Sequence, residues 1–187
     1  MSAFGAEGAN LMSDPADTYR IAENDPMLWL ENAECLRLSA QLSWDGMQKI
    51  MRRSPAEGDI RMRQLAYVHS FMLLTAHAFE NLCRGISVAR KEDWRLLIGD
   101  KGGHALKRHV SSITSLSTDE SYLVERLEVY LLWAGRYPVP KTAEAYGEAV
   151  RNQWRNVRGV DLENTDGLFS RLRGVLKSDA AKYRSTA

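Results

Sequence analysis

The chain has 187 residues, 25 Lys plus Arg against 24 Asp plus Glu, and a formal net charge of +1, with 44% hydrophobic residues. That is enough apolar material for one domain with its own core, and the charge balance gives no global pull toward nucleic acid or membrane surfaces. Cys35 and Cys83 make no metal-ligand or redox spacing and read as buried free thiols of a reducing compartment.

Residues 1–24 are rich in Ala, Gly, Ser, Asn and Asp without apolar period, which predicts a flexible N-terminal arm ahead of a single helical domain over 25–187. Asp25-Pro26 is a helix start, an N-cap acceptor followed by Pro where no amide donor is needed. The first helix runs to about Arg53, with Leu28, Cys35, Leu38, Leu42, Met47, Ile50 and Met51 as its apolar side. Ser54-Pro55 breaks it, and a second, long helix extends from about Asp59 to Arg90. Within that helix Phe71, Thr75, Ala78, Phe79, Leu82, Ile86 and Ala89 recur at steps of three and four, one face of an α-helix. The arc holding His77, Glu80, Asn81 and Arg84 is polar. Gly85 is the weak point of the helix or a place where a neighbour approaches closely.

A short helix follows over His104–Ile113. Ser117 to Glu120 spells a capping box that opens a helix to about Ala134, ended by Gly135. Tyr137-Pro138-Val139-Pro140 is extended because each Pro pushes its predecessor out of the α region. Lys141 to about Val157 reads as a helix that places Arg151, Arg155 and Arg158 on one basic face, able to meet phosphates or simply solvent. Asn164-Thr165 starts a last helix that frays beyond Asp179. No strand pattern appears, so the expected architecture is an all-α, up-and-down bundle of about four to six helices, with the first, second and 119–134 helices as its core.

The search for chemistry is sparing. None of His69, His77, His104 and His109 makes a His-x-x-x-His or Glu-x-x-His pair, so no metal is expected. No nucleophile elbow, phosphate loop or dinucleotide fingerprint is present, and no cofactor is implied. The N-terminus shows no basic-then-apolar leader, and the longest apolar run, Val129–Ala134, is too short to span a bilayer, which predicts a cytoplasmic protein without membrane contact.

Three runs carry a resemblance: AHAFENLCRG at 76–85, GHAL at 103–106, and WAGRYPVP at 133–140. Together they resemble a group of bacterial HEPN-type proteins (the higher-eukaryote and prokaryote nucleotide-binding helical domain), over roughly residues 60–140. The resemblance implies an up-and-down helical bundle that often forms a homodimer. Many family members are metal-independent endoribonucleases of toxin–antitoxin and defence systems, and others have lost catalysis and serve as binding or scaffold modules. Catalytic members pair an Arg with a His after four to six intervening positions, the His moving a proton while the Arg steadies phosphorane charge. Here Arg63 and His69 have that spacing; Arg136 with His104 is the alternative pair if folding brings them together. The expectation is a module binding a nucleotide, RNA or a partner protein in a cleft of His77, Glu80, Asn81, Arg84, His104, Arg136 and Tyr137. The alternatives are an active ribonuclease and a helical scaffold with no ligand.

Overall fold

The computed structural model describes residues 14–52, 59–93, 105–135, 137, 140–151 and 156–185. Among them there is no strand. Seven α-helices follow in order: α1 (Pro15–Glu23), α2 (Pro26–Met51), α3 (Asp59–Ala89), α4 (Leu106–Ile113), α5 (Thr118–Val129), α6 (Ala143–Arg151) and α7 (Asp161–Ser185). The all-α class is as expected, with more helices than the four to six anticipated.

Local chemistry explains several boundaries. The Asp25 carboxylate accepts from the Met27 amide at 2.8 Å, with Pro26 at the first helical position. The Ser117–Glu120 capping box forms in both directions, Ser117 N–H to Glu120 at 2.9 Å and Glu120 N–H to Ser117 Oγ at 3.2 Å. α5 then passes into a π-helical segment, Tyr130–Ala134, closed by a Gly135 N–H to Tyr130 carbonyl bond of 3.1 Å. The periodicity of this run is read equally well as α; the wider turn is a local adjustment where the run packs on α3. α4 has no side-chain cap of its own. Glu128 of α5 supplies it, accepting the Lys107 amide at 2.8 Å, and Glu125 pairs with the Lys107 ammonium.

α3 is the axis of the bundle. It packs along most of its length on α2 and, on another side, on α7, with α4, α5 and the π-helical segment completing the enclosure. Phe71, Met72, Ala76, Ala78, Phe79, Leu82 and Ile86 are buried, as their spacing predicts. α7 is more central than expected, contributing Leu168, Phe169, Leu172 and Leu176 to the core. Arg37 and Glu34 of α2 tie to Asp166 and Arg173 of α7, and Arg90 pairs with Asp179 at 2.8 Å. Gly85 sits where α2, α3 and α7 converge. A Cβ there would lie 2.9 Å from both Trp29 Cβ and Leu176 Cδ2. Close approach is therefore its role, and α3 continues unbroken through it.

Four expectations change. Pro15–Glu23 is a helix, docked through a Trp29 Nε1–H bond of 3.0 Å to the Glu23 carbonyl, so only residues 1–13 of the expected arm lie outside the described residues. α2 turns differently from its predicted apolar side: Leu30, Ala33, Ala40 and Trp44 are buried with Met47 and Ile50, whereas Leu28, Leu38, Leu42 and Met51 are exposed. Cys35 is exposed and only Cys83 is buried. α6 is shorter than predicted: Asn156–Arg158 is not helical, and α7 begins at Asp161 rather than Asn164.

The two shifted boundaries, of α6 and of α7, share a cause. Arg126 and Asp161 form an ion pair with both side chains fully buried, at 2.6 and 3.0 Å. Arg126 also donates to the Asn156 carbonyl, and Asp161 accepts the Arg158 amide at 2.6 Å. The carboxylate thus fixes residues 156–160 as a non-helical connection pinned to α5.

Two acidic groups predict the acid response of the fold. Burial alone would raise the pKa of Glu120, but the Ser117 hydrogen bonds and the Arg171 guanidinium outweigh it and hold the carboxyl below its ordinary value. Asp179 is held low in the same way, with burial overcome by Arg90 and Lys182. A carboxyl with a depressed folded pKa stabilises the fold above its unfolded pKa and loses that contribution as pH falls through the folded value. Stability measured by urea unfolding is therefore expected to drop as pH is lowered from about 5 to about 3, and Glu120→Gln to flatten the slope. An unchanged slope in that variant would refute the assignment.

Candidate functional site

The polar arc of α3 becomes a connected cluster. Arg84 Nη2 donates to Glu80 Oε1 at 2.7 Å, and His77 Nδ1 lies 3.3 Å from Glu80 Oε2. Asn81 Nδ2 donates to the His77 carbonyl at 2.7 Å, and its Oδ1 accepts from Asn32 of α2 at 2.9 Å. The Arg84 guanidinium stands over the Trp29 ring, 5.5 Å from its centre. The Glu80 and Arg84 side chains are 13% and 19% exposed, enough burial to strengthen the pair beyond a solvated i, i+4 contact, whereas His77 at 43% faces outward.

Asn81 and Arg84 of this cluster form one wall of a groove between α1, α2 and α3. Tyr19 and Glu23 line it from α1, Leu28, Trp29 and Asn32 from α2, and Asn81 and Arg84 from α3, around a volume of about 390 Å³. The groove brings together aromatic surface, the Glu23 carboxylate, the Arg84 guanidinium held by Glu80, and two side-chain amides whose mutual bond orients both. Such a set can stack a planar group, hydrogen-bond its edge and neutralise an anion. Cys83, behind Glu80, adds no nucleophile. Burial first, and the Glu80 charge second, push its thiol up to about 12, so it stays protonated.

Of the predicted cleft residues, His77, Glu80, Asn81 and Arg84 come together. Tyr137 is 57% exposed at the end of the π-helical segment, its amide donating to the Trp133 carbonyl at 2.8 Å. That segment is set against α3 one turn before His77, because a Cβ at Gly135 would lie 2.5 Å from Leu73 Cδ1. His104 and Arg136 lie outside the described residues, and so does the predicted contribution of each to the cleft.

Arg63 and His69 are both on α3 but do not converge. Six helical positions separate them by about 120° around the axis and about 9 Å along it. Arg63 is exposed, and the His69 ring packs edge-on against Tyr130 at 5.5 Å.

The basic face is also not one face. Arg151 ends α6, Arg155 lies outside the described residues, and Arg158 is in the following connection. Arg158 bonds Asp119 at 2.9 Å and stacks 4.8 Å from the centre of the Tyr122 ring, which Arg126 also approaches at 4.8 Å. Its charge is spent on the fold. Among the described residues no group of three or more His, Cys, Asp or Glu is placed to hold a metal ion, and no helix is long and apolar enough to cross a membrane.

Trp29, Asn32, Tyr19 and Glu23 were not foreseen. They sit on α1 and α2, and nothing in their own spacing marks them; only the angular setting of α2 against α3 turns Trp29 and Asn32 toward Arg84 and Asn81.

Comparison with known proteins returns no match, whether to family models, to curated proteins or to solved structures.

Proposed function

We propose that the protein is a HEPN-like helical module that binds a nucleotide, free or at the end of an RNA strand, in the groove between α1, α2 and α3, without catalysing its cleavage. The observation that carries this reading is the wall of Trp29, Arg84, Asn32 and Asn81 on a groove of about 390 Å³, within the range of small-molecule sites. An aromatic face accepts a base by stacking, worth about 1–3 kcal/mol per base. The amide pair offers both donor and acceptor to a base edge, and Arg84 offers N–H groups to a phosphate. His77, its side chain 43% exposed, stands beside Glu80, and its carbonyl holds the Asn81 amide in place. The sequence resemblance at 76–85 falls on this same wall.

Calorimetric titration with mononucleotides and short oligoribonucleotides tests the reading. Arg84→Ala is expected to weaken binding at least tenfold, by loss of a charge-assisted contact worth about 1.5–3 kcal/mol. Arg158→Ala, a cation engaged elsewhere, leaves the affinity unchanged. Absence of binding to every nucleotide and RNA offered, or equal loss in both variants, would overturn the proposal.

A further inference from the structure

α2 and α3 part toward the C-terminal end of α2. There the two helices and the connection that precedes α7 leave an open cavity of about 510 Å³. Protein interiors hold few voids larger than a water molecule, so an opening of this size between packed helices calls for an occupant. Contacts across the helices fix its register. Gln64 Nε2–H donates to Met51 Sδ at 3.3 Å, and a Cβ at Gly46 would collide with the Tyr67 ring. α2 and α3 therefore run antiparallel past each other here. Trp44, Met47 and Met51 line the cavity from α2 at steps of three and four, and Arg61, Leu65 and Val68 line it from α3 at steps of four and three. Each set covers about 10 Å of helix, so the cavity is a slot of that length.

The slot has an apolar inner end and a charged mouth. Trp44 and Met47 are buried, and the Trp44 ring packs on Phe71, ring centres 5.0 Å apart. Toward the mouth Met51 and Leu65 are 63% and 40% exposed. Val157 and Gly159 form a third wall, and a Cβ at Gly159 would meet nothing within 4 Å. No carboxylate is among the described lining residues, whereas two guanidiniums are, those of Arg61 and Arg158. Arg158 is engaged by Asp119 and Tyr122. Arg61 is exposed near the N-terminal end of α3, and its guanidinium bonds no described residue. Gln64 beside it gives an N–H to a thioether, a weak acceptor that a carboxylate oxygen would readily displace.

We propose that this slot binds an aliphatic carboxylate of medium chain length, its alkyl chain running toward Trp44 and its carboxylate paired with Arg61 and Gln64 at the mouth. The site is separate from the nucleotide-sized groove and does not rest on that reading: Trp29 and Met47 are about 27 Å apart along α2. Three features select the ligand class. The apolar inner end rewards methylene groups, each one buried adding roughly fourfold in affinity. The two methionines offer flexible, polarisable surface that moulds to a chain without fixed shape. The guanidinium presents paired N–H groups to a carboxylate, a contact that a neutral head group uses poorly and a cationic one turns into repulsion. The length of the slot then limits the chain, because methylenes beyond about 10 Å stay in water.

Octanoate is the probe. In calorimetric titration it is expected to bind with a dissociation constant on the order of 100 μM. Hexanoate binds roughly tenfold more weakly, and decanoate gains no more than about threefold over octanoate. Octanol binds roughly tenfold more weakly than octanoate, and octyltrimethylammonium does not bind. Arg61→Gln lowers octanoate affinity to the level of octanol and leaves octanol unchanged. Leu65→Glu, one turn along α3, abolishes octanoate binding by setting a carboxylate at the mouth. Both substituted residues are exposed, so folding is retained. NMR of methyl-labelled methionine locates the ligand: octanoate shifts the Met47 and Met51 methyls and leaves that of Met72, buried elsewhere in the core, in place. Arg84→Ala binds octanoate as the wild type does, which separates this site from the nucleotide groove. No binding of octanoate, equal affinity for octanol, an unchanged affinity in Arg61→Gln, or methyl shifts that spare Met47 and Met51 would each overturn the proposal.

Discussion

Arg126→Met is expected to lower the unfolding free energy by about 3–5 kcal/mol, because it strands the Asp161 carboxylate, fully buried, without its partner. The loss is large for a reason that does not make the pair itself strongly stabilising. Desolvating two charges consumes most of what their attraction returns, and only the removal of one exposes the full penalty. The double variant Arg126→Met/Asp161→Leu removes both charges and is expected to recover much of the stability lost by the single one. It will not recover all, since Arg126 also satisfies the Asn156 carbonyl and Asp161 the Arg158 amide. Urea unfolding of wild type, single and double variants checks this. Additive losses would show that the pair is not coupled.

Phe79→Ala should cost about 3–5 kcal/mol by the same measurement. Phe79 is fully buried and stacks on Phe169 of α7, ring centres 6.5 Å apart with planes 27° from parallel. Its loss removes the apolar contact and leaves a hole between α3 and α7. Neither helix can close that hole, because Gly85 already brings α3 against α7 and α2 two turns further on. Phe79 lies next to Glu80 in sequence but about 100° around the helix. If the proposed nucleotide binding holds, its affinity per folded molecule is therefore expected to stay within about threefold of wild type at temperatures where the variant is folded. A drop of under about 1 kcal/mol would mean that α7 is held chiefly by its ion pairs with α2 and α3 rather than by this contact.

Much of the fold is legible in the residues. The α3 face, the Asp25-Pro26 start, the Ser117–Glu120 capping box and the all-helical class depend on interactions within about four residues, and spacing alone encodes those. The polar arc of α3 is legible for the same reason: His77, Glu80, Asn81 and Arg84 bond one another within a turn. α2 is the instructive failure. It has two apolar stripes, and periodicity cannot say which of two faces the core; it takes the position of α3 to bury Leu30 and Trp44 and leave Leu38 and Leu42 in solvent.

Partners distant in sequence are where local reading ends. Arg126 and Asp161 are separated by 35 positions and Asn32 and Asn81 by 49, and each of these residues taken alone is an ordinary polar residue on a helix. The buried pair decides where α7 begins, and the amide pair joins α2 to the groove wall. Both owe their energy to desolvation in one three-dimensional setting, and desolvation is a property of what surrounds a side chain rather than of its order in the chain. Helices, caps and the candidate arc are therefore written in the sequence, whereas the choice of buried face, the Trp29 and Asn32 wall, and the exposed apolar stripe of α2 come from the packing of helices against one another.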